Sequence, residues 1–514
     1  MTKRYLLGID VGSSGIRAGV FEADGSFVAG GSASFIARSA QPGQLVYHDD
    51  DLRTALYTSI RNAIAKGVDP REIEGVSVAV PATLTMFDRD GGMPFHMMSV
   101  MDGRAGRYYG EARQRLEAAG LSLDDFFRIN RAPMIWLTQF LALRDLYPAE
   151  FDRVQKVGLS GHSAVIRALG YDGYADTDDE AAFSNIYDVE RRRYDPSLAA
   201  AFDIEPAIFA PFLAPGTPVG AVTADVAAQS GLVEGTRIYV GSSDSVAQTV
   251  ALNGFDPDVS VLSLGTTGIV IKRTPHFIDI PDPTTTITTA GFDDWKVSTG
   301  SPSFGASYRW LKENICYGDA IDATDEQAIY ERINTRAARS AIGANGVTFL
   351  PHFWGTLSNP FARTTLIGLD FTNTTDDVVR AVLEGTAFDL AEAIGFVDTA
   401  VGESPPILRT TGGGSQSPLW LQIIADVTGR SLELTQCPPQ YTGCLGAAAI
   451  AGIGAGVYAD HTEAAQTVAK VNRVVEADPS TADAYREASA LYERAARTLS
   501  EHVYSAPALP LAAA

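Results

Sequence analysis

One aspartate near the middle of the chain has the setting of a catalytic base. Asp244 lies in the segment VGSSDSVAQTVAL, where a predicted strand ends and a predicted helix begins. Ligands meet open α/β sheets at such positions, and a carboxylate there could deprotonate a hydroxyl that attacks a phosphoryl group. Asp is also a favoured helix N-cap. A capping role would stabilise the ionised carboxylate and limit its strength as a base.

A glycine turn near the start of the chain could surround a phosphate. The turn consists of Gly12, Ser13, Ser14 and Gly15. Glycine lets the backbone approach a phosphate closely, and hydroxyl groups add hydrogen-bond donors. Asp10 immediately precedes the turn and could hold Mg²⁺ directly or through water. Arg17, on the returning strand, could reach a β- or γ-phosphate.

The same pattern recurs almost half a chain later. The second turn consists of Gly265, Thr266, Thr267 and Gly268, again between two short apolar runs, and Ser263 stands where the first copy has Asp10. An isolated turn of this type is usually an ordinary hairpin turn. A repeat at this distance instead predicts two related domains. Two such turns facing each other across a cleft could hold a triphosphate.

A third glycine turn follows the apolar strand PPILRT and precedes the helical segment SPLWLQIIADVTG. It contains Gly412, Gly413 and Gly414, followed by Gln416. Glycines at a strand-to-helix turn permit a flat ligand such as adenine to lie against the backbone. Gln416 would then be free to form a hydrogen bond with it.

Short apolar runs alternate with helical patterns through both halves of the chain, which indicates an α/β fold. Such runs are IEGVSVAV (73–80), TRIYVGSS (236–243) and GVTFLPHF (346–353). We predict an N-terminal domain over 1–252 and a C-terminal domain over 253–480. A terminal amphipathic helix and a frayed tail are predicted over 481–514.

Composition excludes several classes of partner. The chain of 514 residues has 40 Lys and Arg against 62 Asp and Glu, a formal charge of −22, which disfavours nucleic acid and anionic membranes. Its three cysteines, Cys316, Cys437 and Cys444, show no metal-binding spacing and suit a reducing compartment. The apolar N-terminal run is broken by Asp10, so we expect no signal peptide, no membrane span and a cytoplasmic location.

In order and spacing, four segments resemble the FGGY carbohydrate kinases: GIDVGSSGIRAGVF, VGSSDSVAQTVAL, SLGTTG and TGGGSQSPLWLQIIADVTG. The resemblance runs from about residue 5 to residue 455. It implies an α/β protein of two ribonuclease-H-like (actin-like) domains with an ATP and sugar cleft between them. It also implies ATP and Mg²⁺ as cofactors, and a homodimer is one arrangement it allows.

The resemblance assigns roles to individual residues. Asp244 matches the catalytic aspartate. The first phosphate motif corresponds to Asp10, Gly12, Ser13, Ser14 and Arg17. The second phosphate motif corresponds to Gly265, Thr266, Thr267 and Gly268, and the adenosine motif to Gly412, Gly413, Gly414 and Gln416. The segment GSPSFGASYRWL matches a helix start beside the nucleotide, which nominates Gly305 and Arg309.

The chain departs from the family at its substrate positions. Val80, Pro81, Ala82 and Thr83 replace the polar residues that usually follow this strand. Val100 replaces a tryptophan, which leaves Asp102 and Arg104 as candidate sugar contacts. Ser245 replaces an amide after the catalytic aspartate and suggests a different polyol or hydroxyl stereochemistry. Trp136 could pack on a sugar face, although a core position is more usual for tryptophan.

The sequence thus predicts an ATP-dependent kinase for a small sugar or polyol, with a ketopentose such as xylulose as the favoured substrate. Two other functions remain open. An actin-like switch protein could use the duplicated nucleotide site without a sugar, and a catalytically silent sensor could bind a sugar without phosphorylating it.

Overall fold

Two central sheets organise the protein, one in each half of the chain. The computed structural model describes residues 5–40, 43–280, 284–316 and 326–504. The tail SAPALPLAAA, predicted to be frayed, lies outside these residues. The three cysteines are buried and free. In the described part of the chain, no helix has the length and apolarity to cross a membrane.

Strands and helices alternate through the N-terminal half. Its strands are β1 (Tyr5–Val11), β2 (Gly15–Glu22), β3 (Phe27–Ser34), β4 (Val46–Tyr47), β5 (Ile73–Val80), β6 (Thr83–Phe87), β7 (Met97–Ser99), β8 (Lys156–Gly158), β9 (Tyr187–Asp188), β10 (Arg193–Tyr194), β11 (Pro218–Ala221), β12 (Arg237–Tyr239) and β13 (Ser242–Ser243). Its helices are α1 (Asp49–Ile64), α2 (Tyr109–Ala118), α3 (Leu123–Asn130), α4 (Trp136–Leu146), α5 (Pro148–Phe151), α6 (His162–Ala168), α7 (Pro196–Phe202), α8 (Ala224–Ser230) and α9 (Asp244–Ala251).

The C-terminal half follows the same alternation. Its strands are β14 (Val259–Leu264), β15 (Gly268–Thr274), β16 (Thr286–Thr289), β17 (Trp295–Ser301), β18 (Thr348–Leu350), β19 (Thr365–Ile367), β20 (Ile407–Thr411), β21 (Ser431–Thr435) and β22 (Val471–Val475). Its helices are α10 (Phe304–Asn314), α11 (Glu326–Ala337), α12 (Thr375–Val401), α13 (Pro418–Thr428), α14 (Thr442–Gly454), α15 (His461–Val468) and α16 (Ala482–His502). Helix α16 lies within the region predicted as the terminal helix.

The two sheets repeat one topology, which confirms the duplication inferred from the glycine turns. The N-terminal order is β3-β2-β1-β5-β12-β11, and the C-terminal order includes β17-β15-β14-β20-β21-β22. In each sheet the first three strands are antiparallel, the next two pairings are parallel, and the last is antiparallel. The predicted hairpins are β1–β2 and β14–β15.

Helix α14 joins the halves although it belongs to the C-terminal half by sequence. It packs against α9, β1 and β5 of the N-terminal half. Glycines permit this approach. A Cβ on Gly446 would lie 1.8 Å from the Ala247 carbonyl oxygen, and a Cβ on Gly8 would lie 1.8 Å from the Cys444 carbonyl oxygen. The backbones therefore touch at both crossings, which side chains would prevent.

A second junction lies at strands β16 and β17. The Trp295 indole N–H donates to the Val189 carbonyl oxygen at 3.1 Å. The Arg131 guanidinium donates to the Ile280 carbonyl at 2.9 Å and pairs with Asp279 at 2.5 Å. Residues 279–280 and the start of β17 are thus bonded to the N-terminal half.

Candidate active site

The first glycine turn places a carboxylate and a guanidinium side by side. Asp10 and Arg17 are register partners across the β1–β2 hairpin. The Gly12 N–H donates to the Gly15 carbonyl at 2.9 Å, which closes the turn. A Cβ on Gly12 would lie 3.5 Å from Arg17 Nη1, so the guanidinium borders the turn. The two serines between the glycines, at 13 and 14, are exposed.

The second turn receives the start of helix α10. Gly305 and Ala306 both donate their N–H groups to the Thr266 carbonyl, at 2.9 and 3.1 Å. A Cβ on Gly305 would lie 2.3 Å from the Gly265 carbonyl oxygen, so this close contact requires glycine. The Thr267 hydroxyl donates to the Pro302 carbonyl at 3.3 Å. The structure thus brings Gly305 to the second turn, while its place beside a nucleotide stays a prediction.

The third turn lies beside the second. Gly412 has φ +96°, and a Cβ there would lie 2.6 Å from the Leu264 carbonyl oxygen at the end of β14. Gly414 lies against the Leu264 side chain. Gly413 and Gln416 are exposed, and so is Arg309 on α10. The second and third turns therefore form one exposed surface, at the ends of the neighbouring strands β14 and β20.

Asp244 is the first residue of helix α9, but the N-cap of this helix is the preceding residue, Ser243. The Ser243 hydroxyl accepts the N–H of Val246 at 3.3 Å and is the N-cap. Asp244 is the first helical residue, and its Oδ1 accepts the Ser245 N–H at 2.7 Å. The capping interpretation of Asp244 was therefore wrong, because the preceding hydroxyl already satisfies the helix start. Asp244 as a whole residue is half-buried.

Two buried side chains position the segment before Asp244. The His162 Nε2 accepts the Gly241 N–H at 2.7 Å, and the Asp179 Oδ2 accepts the Ser243 N–H at 2.9 Å. Burial lowers the pKa of His162 to about 4, so its ring is neutral and can accept. Sequence reasoning missed both residues. A single histidine or aspartate far along the chain gives no signal of such a contact.

Glycines of α14 fix the position of both carboxylates. A Cβ on Gly443 would lie 2.7 Å from the Asp10 Cγ. Three residues on, Gly446 contacts the α9 backbone at Ala247. Helix α14 therefore sets the spacing between Asp10 and the helix of Asp244. The glycine- and alanine-rich run TGCLGAAA was the available signal for this close packing.

Burial dominates the electrostatics of both carboxyl groups. Burial raises the pKa of Asp10 to about 7, helped by Asp244 and opposed by Arg17. Burial likewise raises the pKa of Asp244, whereas Lys296 lowers it. The expected stabilisation of an ionised Asp244 by its helix is therefore outweighed, because removing a carboxylate from water favours its neutral form. A raised pKa makes Asp244 a stronger base.

The predicted sugar contacts separate into different environments. Ala82 is half-buried and Thr83 is buried at the start of β6. The carboxylate of Asp102 already has protein partners. It accepts hydrogen bonds from the Leu45 N–H and from the Arg104 guanidinium, each at 2.9 Å. Trp136 is 1% exposed, and its indole donates to the Leu159 carbonyl. The hypothesis that Trp136 stacks on a sugar is therefore wrong, because its side chain belongs to the core.

Ser245 is the predicted substrate residue that lies next to the catalytic candidate. Its hydroxyl is 3.0 Å from the Ser243 hydroxyl. It also accepts a 2.7 Å hydrogen bond from Lys296 Nζ, which reaches it from β17 in the other half of the chain. Sequence reasoning missed Lys296, because the contact depends on the packing of β17 against the N-terminal half.

The chain is similar to known proteins over most of its length. The N-terminal domain model of the FGGY family of carbohydrate kinases matches residues 5–251, and the C-terminal domain model matches residues 260–455. A probable L-xylulose kinase of Pasteurella multocida is 26% identical over 89% of this chain and 92% of its own length. A xylulose kinase of Staphylococcus epidermidis is 23% identical over 96% of each chain.

The fold also matches solved structures. The crystal structure of ligand-bound xylulose kinase from Lactobacillus acidophilus superposes with a TM-score of 0.85 at 20% identity, covering 98% of this chain and 99% of the other. The predicted α/β fold of two actin-like domains is therefore confirmed. Because both family models match in order and together span most of the sequence, the chain is a sugar kinase that belongs to the FGGY family of carbohydrate kinases.

Proposed function

We propose that this enzyme transfers the γ-phosphoryl group of ATP to a hydroxyl of a ketopentose such as xylulose, with Asp244 as the general base. The observation that supports this most directly is the position of Asp244. It is partly exposed, has a raised pKa and interacts electrostatically with Asp10 at the first glycine turn. The names of the relatives favour xylulose as the substrate.

In the proposed step, the acceptor hydroxyl gives its proton to the Asp244 carboxylate. The oxygen forms a bond to the γ-phosphorus, and the bond from that phosphorus to the β-bridging oxygen breaks. ADP leaves with the electron pair. Arg17 and the backbone of the two turns would stabilise the phosphate charge, and their fixed geometry supplies positioning as well as electrostatic stabilisation.

The residues present fit a magnesium ion bound together with the nucleotide. The described residues contain no group of three or more His, Cys, Asp or Glu side chains that would form a metal cage. Mg²⁺ in kinase sites usually keeps several waters and takes one or two carboxylates plus phosphates. Asp10, partly exposed beside the first turn, would supply such a carboxylate. The ion would neutralise charge on the β- and γ-phosphates.

The first and second turns would hold the phosphates, and the third turn with Gln416 would hold adenosine against the exposed backbone of Gly413. Arg309 would border the nucleotide from α10. A switch protein without a sugar substrate is not favoured, because both matching family models describe carbohydrate kinases.

The test is an ADP-release assay on pentuloses, tetritols and glycerol, each measured with the wild type and with Asp244→Asn. We expect sugar-dependent ADP release with a ketopentose as the best acceptor, and its loss in the variant. A wild type that binds the sugars without releasing ADP would instead identify a sensor. Full activity in Asp244→Asn would assign the base to another residue.

A further inference from the structure

Three charged side chains beside Asp244 have no role in the phosphate turns. Asp179 and Glu180 lie in the short helical turn 178–184, and Lys296 lies on β17. Their exposed fractions are 0%, 4% and 8%. Charged groups are rarely buried this completely unless they are paired or have a ligand to bind.

Both carboxylates keep an oxygen without a partner. Asp179 uses Oδ2 to accept the Ser243 N–H at 2.9 Å, but its Oδ1 is buried and has no hydrogen bond within the described part of the chain. The Oε2 of Glu180 is likewise buried without a hydrogen bond there. Such orphaned acceptors are costly in a folded protein and call for a donor.

The unpartnered oxygens lie beside the reacting group. Glu180 interacts electrostatically with Asp179, Lys296 and Asp244. Asp244 in turn interacts with Asp179 and Lys296. Asp179 bonds to Ser243, the residue before Asp244, and Lys296 bonds to Ser245, the residue after it. An acceptor whose hydroxyl reaches the Asp244 carboxylate would therefore lie next to these groups.

Contacts between the two halves of the chain hold Lys296 in this position. Its ammonium group donates to the Ser245 hydroxyl at 2.7 Å. The preceding residue, Trp295, is hydrogen-bonded to Val189 and carries the Arg192 guanidinium over its ring at 5.6 Å. The ammonium group is therefore fixed by packing between the halves of the chain.

We propose that Asp179, Glu180 and Lys296 form the specificity end of the acceptor site and select an uncharged polyhydroxylated acceptor over a sugar acid. This inference rests on the proposed function. Acceptor hydroxyl groups donate hydrogen bonds to Asp179 Oδ1 and Glu180 Oε2, and a hydroxyl oxygen accepts from Lys296. Each hydroxyl can both donate and accept, so a polyol satisfies this mixed set.

Charge balance supports the choice of an uncharged acceptor. Asp244 interacts electrostatically with Asp10, Asp179 and Glu180, whereas Lys296 is the basic group beside it. The guanidinium of Arg17 borders the phosphate turn instead. An acceptor carboxylate would meet more acidic than basic side chains and could offer no proton to the orphaned oxygens. Mismatched buried polar groups are a strong basis for discrimination between substrates.

The experiment compares neutral ketoses and alditols with aldonates of matched chain length, for example xylulose and xylitol against xylonate. For the wild type we expect kcat/KM for the best neutral acceptor to exceed that for its aldonate by about a hundredfold or more. Glu180→Gln should raise the acceptor KM about tenfold or more, since the buried carboxyl oxygen that would accept the acceptor hydroxyl is replaced by an amide. The KM for ATP should not change.

The selectivity ratio is kcat/KM for the neutral acceptor divided by kcat/KM for the aldonate. A change in this ratio distinguishes altered recognition from a general loss of activity. Glu180→Gln should shift the ratio toward the aldonate, because an acidic group that disfavours a neighbouring carboxylate is removed. Lys296→Met should shift it further toward the neutral acceptor, and Lys296→Arg should restore it in part. Lys272→Met is the matched control. Lys272 is also buried but donates to the Pro257 and Val259 carbonyls, so this variant should lose stability without changing the ratio.

Preference of the wild type for an aldonate, or an unchanged ratio in Glu180→Gln and Lys296→Met, would overturn the inference while leaving the kinase function intact. If no acceptor is phosphorylated, the proposed function fails instead. Calorimetric binding of xylitol and xylonate with a non-hydrolysable ATP analogue then still tests recognition. Tighter binding of xylonate would contradict the inference, and tighter binding of xylitol would support it.

Discussion

Gly443 lies so close to Asp10 that a Cβ at this glycine would stand 2.7 Å from the carboxylate carbon. The two residues are more than 400 positions apart in the chain, yet the start of α14 forms one wall around the proposed metal-binding carboxylate. A methyl group cannot fit at this distance, and therefore Asp10 or α14 must move to accommodate it.

Gly443→Ala should therefore lower kcat/KM by about tenfold to a hundredfold, because a displacement of about 1 Å is enough to disturb phosphoryl transfer. Steady-state kinetics and thermal unfolding measure the two effects. Gly395→Ala is the matched control, since this exposed glycine of α12 has open space for a Cβ. It should leave activity unchanged and raise helix stability by about 0.5–1 kcal/mol. Wild-type kinetics in Gly443→Ala would show that Asp10 is not held by α14.

Asp244→Asn should reduce kcat by about 10²–10⁴-fold, as expected for loss of a general base. ATP binding should remain, because the phosphate turns are untouched. Coupled ADP release and nucleotide titration distinguish these effects. Asp483→Asn, on the exposed surface of α16, is the control and should match the wild type.

The stability of the metal-free protein should fall as pH rises from 5 to 8, in part through Asp10. The pKa of Asp10 is raised from its ordinary 3.8 to about 7, chiefly by burial. The folded state thus holds this proton more tightly than the unfolded chain. Its stabilising contribution is fully present below about pH 4 and is lost as pH rises through 7.

Thermal unfolding in EDTA across this pH range checks the sign. Asp10→Asn removes the titration, so its melting temperature should fall less than that of the wild type between pH 5 and 8. Addition of Mg²⁺ and ATP should stabilise the wild type more than the variant, because ligands that bind the folded state raise its stability. Parallel pH curves for the two proteins would contradict the assigned shift.

Adjacent glycines of the third turn should respond differently to alanine. Gly412→Ala should destabilise the protein, because φ is +96° and a Cβ would collide with the Leu264 carbonyl. Gly413→Ala meets no atom within 4 Å and should fold normally. If adenosine lies on this turn, Gly413→Ala should raise the KM for ATP several-fold and leave the acceptor KM unchanged. An unaltered KM for ATP would indicate that adenosine does not bind at this turn.

Trp136→Phe should lower stability without changing the acceptor KM. The indole is buried and hydrogen-bonded to Leu159, so truncation leaves a cavity and an unpaired carbonyl, with a cost of about 1–3 kcal/mol. Denaturant unfolding measures the loss. A changed acceptor KM with unchanged stability would restore the sugar-stacking role.

The sequence by itself determined the duplicated hairpins, the α/β class and the identity of Asp244 as the candidate base. These features are local, since a glycine turn between short apolar runs is readable within about fifteen residues, and its repetition indicates two related domains. The third turn was also readable in this way, because it is defined by its own glycines, whereas Gly305 was nominated only by the resemblance of its segment to the family.

Only the tertiary structure decided which groups surround Asp244. Ser243 caps α9, which corrected the role expected for Asp244, and Lys296 and Glu180 meet beside it from separate halves of the chain. Burial then reversed the expected direction of the Asp244 pKa shift. Burial and charge pairing depend on the whole packed molecule. Residues that are distant in sequence form no local pattern from which such contacts can be predicted.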